Sequence, residues 1–414
     1  MMSKKSPQLR FEGFTDDWEE RKLSELIQKG GSGGTPKSTN KTYYDGDIPF
    51  LGISDISKSN GYIDDTEKHI SEKGLNNSSA WIVPKGAISL AMYASVGKLA
   101  ILNIDAATSQ AFYNMVFEYE SIRDYVYHRL GRANDLGEWT KLISTGTQAN
   151  LNADKVKNFE IQVPQSIDEM KDISTFFNQL DIFITLQQHK LDLLKEQKKG
   201  YLQKMFPKNG EKVPELRFAG FADDWEERKL SDVANHRGGT AIEKYFDKDG
   251  VYKVISIGSY GLNSQYVDQN IRAISNKITD GRVVNSGELT MVLNDKTANG
   301  TIIGRSLLVE KDNEYVINQR TEIISPKENF DSNFAYTILN GPFREKVKRI
   351  VQGGTQIYVN YPAVSNLNLE LPKIEEQQKI GSFFKQLDDT IALHQCKLDL
   401  LKEQKKGFLQ KMFV

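Results

Sequence analysis

The sequence contains a single cysteine, Cys396, among its 414 residues. One thiol cannot form an intramolecular disulfide, which excludes a disulfide-stapled scaffold and fits a reducing cytoplasm. Long hydrophobic runs are missing as well. The most apolar window, residues 87–102, is short and interrupted by Gly97 and Lys98, so it predicts strands and no membrane span. No apolar run follows the first lysines, so we expect no secretory signal peptide and a cytoplasmic protein.

The chain also lacks an excess of charge of either sign, with 54 Lys and Arg residues against 55 Asp and Glu residues. This balance argues against a protein that coats nucleic acid non-specifically. It is compatible with a local basic groove, because recognition depends on where the charges lie. Apolar residues make up 39% of the chain, as in soluble globular proteins, and the length predicts two to three domains.

Signatures of catalytic and cofactor sites are missing too. The chain has no phosphate-binding P-loop and no nucleophile elbow, and its five histidines and one cysteine form no zinc-ligand pattern. The glycine-rich stretch 30–35 lacks the P-loop lysine. The acidic run 64–68 has the wrong spacing for a metal nuclease and no counterpart elsewhere, so we interpret it as surface charge. The sequence therefore predicts a non-catalytic protein with no metal, methyl-donor or ATP site of its own.

What the chain does contain is an internal repeat. Residues 7–26 (PQLRFEGFTDDWEERKLSEL) return as 214–233 (PELRFAGFADDWEERKLSDV), an offset of 207 residues (214 − 7). Residues 191–206 return at the same offset as 398–413, with one difference in sixteen positions. The residues between these borders match poorly. We therefore predict a duplicated frame that carries two different inserts.

The frame includes two long helices, predicted over residues 166–207 and 373–414. Apolar side chains recur three and four residues apart, which is a heptad seam, and Pro207 ends the first copy. Forty residues would span about 60 Å at 1.5 Å per residue. An apolar seam needs a partner. We favour antiparallel pairing of the two helices within one chain, and a homo-oligomeric coiled coil is the alternative.

The same helices supply candidate contacts with other proteins. Residues 190–206 contain five lysines and two acidic residues, which fits either a solvated face or docking onto an acidic partner. The candidate partner-binding side chains are Leu191, Leu194, Tyr201, Met205, Leu398, Leu401, Phe408 and Met412.

The inserts have short strand-like runs separated by Gly, Asn and Ser turns, followed in each half by a helical stretch. The predicted fold class is therefore α+β, with two globular α/β domains, two long antiparallel helices and a pseudo-two-fold internal repeat. The predicted domains are 1–165 and 208–372, and each is followed by one of the helices.

Loops of both inserts are rich in side chains that suit DNA. Asn and Gln can bond adenine edges, Arg and Lys can bond guanine, and lysines and hydroxyls position phosphates. A basic run at 344–349 adds further donors. The candidate DNA-binding residues are Lys37, Ser38, Thr39, Lys41, Tyr93, Ser95, Lys98, Gln148 and Asn150 in the first half and Arg237, Thr240, Lys244, Lys296, Asn299, Arg305, Gln319, Gln356 and Tyr358 in the second. Because the two sets differ, we expect the halves to read different short sequences.

These features together resemble one family, the specificity (S) subunits of type I restriction–modification enzymes. The resemblance covers the whole chain. It is carried by residues 33–56 (GGTPKSTNKTYYDGDIPFLGISDI), residues 145–164 (TGTQANLNADKVKNFEIQVP) and the helix end LDLLKEQKKGYLQKMF. The second half departs from the pattern at GGTAIEKYFDKDGVYKV, which lacks the proline and the Ile-Pro-Phe. That departure indicates a target recognition domain of another subtype.

The resemblance implies that each insert is a target recognition domain and reads one part of a bipartite double-stranded DNA site. It implies that the helices set the separation of these domains and dock two methylation (M) subunits. S-adenosylmethionine would then bind to the M subunits, while ATP and magnesium would serve the restriction (R) subunits of the full complex. No membrane partner is expected.

Two other classes of function stay open at this point. The chain could be a free-standing metal nuclease, which the lack of a catalytic constellation disfavours. It could also be a coiled-coil dimerisation protein whose inserts bind other proteins. Cleavage of DNA by the purified chain with magnesium would identify the first class, and salt-dependent DNA binding would argue against the second.

Overall fold

The computed structural model describes residues 6–143, 151–208, 210–296 and 298–414. The chain divides into two compact units. Unit 1 consists of residues Met1–His189 together with Gln395–Val414, and unit 2 consists of Lys190–His394. Each unit therefore has its own hydrophobic core, and unit 1 is built from two separate stretches of the chain.

Unit 1 combines short strands with helices of very different length. Its elements are β1 (Glu19–Lys22), α1 (Leu23–Leu26), β2 (Lys29–Ser32), β3 (Ile48–Leu51), α2 (Ile53–Lys58), β4 (Tyr62–Ile63), β5 (Lys68–Ile70), α3 (Glu72–Asn76), β6 (Ile82–Val83), β7 (Ile88–Ala91), β8 (Leu99–Leu102), β9 (Ala106–Thr108), β10 (Phe112–Val116), α4 (Glu120–Asp135), α5 (Ala153–Lys157), β11 (Glu160–Val163) and the first part of α6 (Ile167–Lys204).

The strands of unit 1 form three sheets. A five-stranded sheet has the order β2-β10-β7-β8-β4, a four-stranded sheet has the order β5-β3-β9-β6, and β1 pairs with β11. Strand β7 (ISLA) is buried at all four residues, as expected for a central strand covered on both faces. Helix α4 covers the larger sheet, with Tyr125, Val126 and Leu130 in the same core as Ile88 and Leu90.

Unit 2 repeats this mixture with its own strand lengths. Its elements are β12 (Glu226–Lys229), α7 (Leu230–Val233), β13 (Ala234–Gly238), β14 (Tyr252–Ile255), β15 (Arg272–Ala273), α8 (Lys277–Asp280), β16 (Val283–Val284), β17 (Leu289–Val292), β18 (Asn294–Asp295), β19 (Ser306–Leu308), β20 (Tyr315–Ile317), β21 (Thr321–Pro326), α9 (Ser332–Asn340), α10 (Pro342–Arg349), β22 (Gln352–Gly353), β23 (Ile357–Tyr358), α11 (Tyr361–Ser365), β24 (Asn368–Leu371) and the first part of α12 (Ile374–Met412).

Four sheets organise unit 2. Their orders are β13-β21-β17-β19, β15-β14-β20-β16, β18-β23-β22 and β12-β24. The main core lies between the first sheet and the helices, where Met291 and Ile324 share one cluster with Phe334, Phe343 and Phe384. The predicted α+β class is confirmed in both units.

The two long helices are each divided between the units. Helix α6 starts in unit 1 and ends in unit 2, whereas α12 starts in unit 2 and ends in unit 1. The sequence placed these helices in segments of their own, 166–207 and 373–414, but in the structure their side chains complete the cores of the two units. Ser166 precedes α6, and its Oγ accepts a hydrogen bond from the backbone N–H of Glu169 (3.4 Å), as an N-cap residue does.

Within each unit the two helices run antiparallel. In unit 1, Phe176 contacts Phe408 edge to face (5.0 Å between ring centroids), and Lys405 forms an ion pair with Asp181. As α6 advances from 176 to 181, its partner in α12 moves back from 408 to 405. Unit 2 repeats both contacts at the offset of 207, because Tyr201 packs edge to face on Phe383 (5.0 Å) and Lys198 pairs with Asp388. The internal repeat and the antiparallel pairing are thereby confirmed.

Among the described residues, no helix is both long enough and apolar enough to cross a membrane.

Candidate nucleic-acid interface

The predicted DNA-binding residues of unit 1 come from loops at one end of its five-stranded sheet. Strand β2 ends where β10 begins, because Ser32 lies opposite Tyr113. Ala91, at the end of β7, lies opposite Phe112, and Leu99, at the start of β8, lies opposite Leu90. The segment 33–41 and the hairpin 92–98 therefore leave the sheet at the same end. We call this the loop end of unit 1.

Most of these residues are open to solvent. Lys37, Ser38, Thr39 and Lys41 are exposed in the first loop. That loop is braced internally, since the Tyr44 hydroxyl donates to the Pro36 carbonyl (2.6 Å) and Asn40 Oδ1 accepts from the backbone N–H of Thr42 (3.2 Å). Its exposed donors are therefore carried on a fixed backbone, which lowers the entropy lost on binding.

The hairpin of unit 1 presents Tyr93, Ser95 and Lys98, all exposed, with 37% of the Tyr93 surface accessible. Its backbone is tight, because Ala94 and Ser95 have φ values of 44° and 34°, where non-glycine residues are uncommon. Gln148 and Asn150 lie outside the described residues. Leu151, the first described residue after them, donates its backbone N–H to the Met92 carbonyl of the hairpin (2.9 Å).

Unit 2 assembles its candidates at the equivalent end of its sheet. Gly238, the last residue of β13, lies opposite Glu322 of β21, and Val292, the last of β17, lies opposite Thr321. Met291 lies opposite Ser306, the first residue of β19. The segments 239–245, 293–305 and 318–320 thus leave the sheet together. We call this the loop end of unit 2.

A small second sheet extends the loop end of unit 2. Strand β18 pairs with β23, with Asn294 opposite Tyr358 and Asp295 opposite Ile357. Lys296 directly follows β18 in the chain, and Gln356 directly precedes β23. Lys296, Gln356 and Asn299 are exposed, and Tyr358 is 40% exposed. The exposed side chains of the segments that flank this small sheet therefore include an amine, two amides and a tyrosine, a set that suits phosphates and base edges.

Other predicted residues of unit 2 have partners within the fold. Lys244 is exposed, with its ammonium 4.8 Å from the Tyr245 ring centroid. The exposed Gln319 donates to Glu243 (3.0 Å), and hydrogen bonds from Asn318 and Gln319 lower the pKa of Glu243. Thr240 is half-buried and bridges Asn318. Asn318 and Gln319 thus both donate to the Glu243 carboxylate, which braces this part of the loop end.

Two predicted arginines are engaged in the structure of unit 2. Arg237 donates to Glu288 (2.7 Å) and to the Val283 carbonyl (3.2 Å). Arg305 donates to the Thr301 carbonyl and to Ser264 Oγ, both at 2.9 Å, and burial lowers its pKa. Both guanidinium groups therefore serve to hold loops. Sequence alone cannot separate such arginines from free ones, because their partners lie far away in the chain.

The predicted partner-binding side chains of the helices are mostly inside the protein. Leu191, Leu194, Met205, Leu398 and Met412 are buried, with 1–7% of their surface accessible. Tyr201, Leu401 and Phe408 are half-buried, and Tyr201 and Phe408 pack against the cores of unit 2 and unit 1. The heptad pattern identified the inward face of the helices, so these residues are a poor fit for a surface that receives another protein.

A different set of apolar side chains is exposed on the same helices. In α6 these are Ile182, Phe183, Leu186 and Leu193, and in α12 they are Leu393 and Leu400, with 41–68% of their surface accessible. Leu186 and Leu193 correspond to Leu393 and Leu400 at the repeat offset. The same two exposed leucines therefore occur in both copies. The signal that could have identified them is an apolar position outside the heptad seam that is kept in both copies.

Within the described ranges, no three His, Cys, Asp or Glu side chains lie close enough to hold a metal ion. The acidic residues Asp64, Asp65 and Glu67 are exposed, as their reading as surface charge predicts, and Lys58 pairs with Glu67. The geometry at both loop ends suits binding.

Comparison with known proteins supports the division into halves. A family model described as the type I restriction modification DNA specificity domain matches residues 15–196 and again residues 222–403. The two matches are separated by 207 residues (222 − 15), the same offset as the repeat.

Similar proteins share most of their length with this chain. The type I restriction enzyme MjaIX specificity subunit of Methanocaldococcus jannaschii is 25% identical over 417 residues, which is 96% of this chain and 92% of that protein. A type I restriction-modification system S subunit from M. genitalium superposes with a TM-score of 0.66 at 12% identity, covering 99% of both chains. A chain from a study of complex assembly and conformational transition of the type I R-M system has a TM-score of 0.54 at 14% identity, covering 96% of this chain and 98% of the other. These structures share the fold.

Proposed function

Because the chain belongs to the type I restriction modification DNA specificity domain family and carries that domain twice, we propose that each unit reads one part of a bipartite target in double-stranded DNA. The observation that carries this proposal is the equivalent loop end of the two sheets. In both units, exposed lysines stand beside exposed hydroxyl or amide side chains on braced loops. Lysines that meet phosphates position a protein on DNA, and amides that meet base edges distinguish the bases.

The two loop ends would read different base pairs. Unit 1 presents Lys37, Lys41 and Lys98 on a short hairpin and a first loop. Unit 2 presents Lys296 and Asn299 on a longer segment, next to the β22–β23 hairpin. Similar platforms with different side chains favour an asymmetric target, whose two parts share no sequence.

The chain would supply recognition, while partner proteins supply the chemistry. We place S-adenosylmethionine in methylation subunits, and ATP and magnesium in restriction subunits. The exposed leucines of α6 and α12 would receive the methylation subunits. Their presence at equivalent positions in both copies fits a partner that binds twice. A protein that acts on DNA in this way would reside in the cytoplasm.

The test is the DNA sequence selected by the complex of this chain with its methylation subunits. Selection from randomised duplexes, read by adenine methylation, would give a target in two parts. The double variant Lys37→Ala/Lys41→Ala should weaken recognition of one part, and Asn299→Ala/Gln356→Ala should weaken recognition of the other. Lys85→Ala and Lys311→Ala are matched controls, since both lysines are exposed at the opposite ends of the same sheets.

Two results would overturn the proposal. One is a target that both double variants leave unchanged. The other is cleavage of DNA by the purified chain alone with magnesium, which would identify a free-standing nuclease.

A further inference from the structure

Arg344 is a buried arginine whose hydrogen bonds go to the backbone. It lies in α10, with 7% of its surface accessible, and the described residues provide no ion pair for it. Its guanidinium instead donates to three backbone carbonyls: Nε to Ile303 (2.9 Å), and Nη2 to Gly300 (3.0 Å) and Thr301 (2.8 Å). All three acceptors belong to one short segment of the loop end of unit 2.

Residues 298–303 form this segment. It lies between β18 and β19 and belongs to no strand or helix. The buried carboxylate of Asp295 accepts from the backbone N–H of Ile302 (2.8 Å), and Arg305 donates to the Thr301 carbonyl from the other side (2.9 Å). The loop is thus held by side chains that reach it from β18, α10 and the start of β19.

Holding a loop with a buried charge is costly. Taking a guanidinium out of water is unfavourable, and hydrogen bonds to carbonyls recover only part of that loss. The pKa of Arg344 is lowered to about 10, first by burial and then by the neighbouring charge of Arg305. The group still carries its charge at neutral pH. A neutral side chain could fill the same space, but it could not satisfy three carbonyls at once.

In unit 1 the equivalent hairpin is supported by an aromatic ring in place of an arginine. Gly97 and Gly304 are repeat equivalents and both have positive φ, 89° and 71°. A Cβ on Gly304 would meet Val347 and approach Arg344, whereas a Cβ on Gly97 would meet the Trp139 ring and Asn134. The shorter hairpin of unit 1 therefore rests on an aromatic ring. The arginine is specific to the longer loop, whose exposed residues include Asn299.

We propose that Arg344 is a positioning residue for DNA recognition by unit 2: it holds the segment 298–303 in the conformation in which Asn299 reads its base pair. This inference rests on the proposed function. Arg344 itself does not touch DNA, because only 7% of its surface is accessible. Its contribution is to reduce the number of loop conformations that binding must exclude.

The experiment uses the complex of this chain with its methylation subunits and measures the ratio of specific to non-specific binding for each part of the target. Arg344→Met should lower that ratio by about tenfold to a hundredfold at the base pairs that Asn299→Ala affects, the range expected for one well-placed base contact. Recognition of the part read by unit 1 should be unchanged. Arg344→Lys keeps the charge but loses the fork of donors, so it should fall between wild type and Arg344→Met.

The controls separate positioning from stability. Lys311→Met removes an exposed cation of unit 2 at the opposite end of the sheet and should change neither part of the target. Equal loss of both parts in Arg344→Met would indicate general destabilisation and would overturn the inference. Full discrimination in Arg344→Met, combined with a loss in Asn299→Ala, would overturn it while leaving the proposed function intact. If neither variant changes the target, the loop is not a reading element, and both proposals fail for this segment.

Discussion

Arg10 forms a bidentate ion pair with Glu169, with Nε–Oε1 and Nη2–Oε2 distances of 2.6 and 2.8 Å. The Glu169 side chain is only 1% exposed. Trp18 Nε1 donates to the same carboxylate (3.2 Å). At the repeat offset, Arg217 holds Glu376 in the same bidentate geometry, at 2.7 and 2.8 Å. The N-terminal segment of each half is thereby tied to the first turn of its long helix.

Breaking this pair should strongly destabilise unit 1. In Arg10→Met the buried carboxylate of Glu169 loses its counter-charge, so we expect a loss of about 3–5 kcal/mol in the free energy of unfolding. Hydrogen exchange of β1 and α6 amides would measure it. Arg21→Met is the matched control, because Arg21 pairs with Glu25 at the surface and should cost less than about 1 kcal/mol. A similar cost for the two variants would contradict the assignment.

The stability of unit 1 should also fall in mild acid because of His128. Its ring is buried, Nε2 lies 2.8 Å from Asn178 Oδ1, and burial lowers its pKa from about 6.5 to about 4, against a smaller opposing effect of Asp181. Between these two values the unfolded chain binds a proton that the folded unit excludes. Protons therefore favour unfolding, and roughly 3 kcal/mol should be lost as the pH falls from 7 to 4.

The matched variant for this effect is His128→Gln, which keeps a polar side chain but does not titrate. Urea unfolding between pH 7 and 4 should show a shallower loss of stability for the variant than for wild type. Carboxylates titrate in both proteins, so the difference between the two curves isolates the histidine. Identical curves would contradict the prediction.

Lysines at the loop ends should control the salt dependence of DNA binding. Removing one phosphate contact lowers the slope of log K against log salt concentration by about one. We expect this change for Lys37→Ala and for Lys296→Ala, both exposed. Binding titrations from low to moderate salt would measure the slopes. Lys85→Ala should leave the slope at its wild-type value, and an equal decrease there would remove the distinction between the two ends of the sheet.

The exposed apolar side chains of α6 and α12 form one helical face in unit 1 and another in unit 2, and these two faces should bind methylation subunits with different affinity. Ile182 and Phe183 of α6, 58% and 57% exposed, correspond to Asp389 and Thr390 of α12 at the repeat offset. Burying one apolar side chain contributes about 1.5–3 kcal/mol. The face in unit 1 should therefore hold its subunit at least about tenfold more tightly than the face in unit 2, and native mass spectrometry of a titration would resolve the two steps.

Exchange of these residues provides the control. Ile182→Asp/Phe183→Thr should lower the affinity of the stronger binding step to that of the weaker step. Asp389→Ile/Thr390→Phe should raise the affinity of the weaker step to that of the stronger step. Two equal affinities in wild type, or a difference that survives both exchanges, would contradict the expectation. Binding of no methylation subunit at all would count against the docking role itself.

The frame of the molecule was predictable because it is written twice. Sequence segments that match at a constant offset imply equivalent contacts. The ion pairs Arg10–Glu169 and Lys405–Asp181 recur at that offset as Arg217–Glu376 and Lys198–Asp388. The helices followed from heptad spacing, and the structure places their ends at Lys204 and Met412, within a few residues of the predicted positions.

The sequence did not separate the polar residues that are exposed for binding from those that form hydrogen bonds within the fold. Arg237, Arg305 and Arg344 all read as DNA-binding donors in the sequence, yet each one donates to groups inside unit 2. Their acceptors are set by which strands become neighbours, and a local pattern does not contain that information. The heptad pattern identifies the helix face that packs within the chain, so the contact of these side chains with another protein stays a prediction.

The order of synthesis sets a constraint on how this protein matures. The core of unit 1 includes Leu409, Met412 and Phe413, which pack with Phe177 and Tyr125. A ribosome makes these three residues only after the whole of unit 2. At about 5–20 residues per second, the early strands wait on the order of ten seconds or more with an open apolar face. The half made first is thus the half finished last.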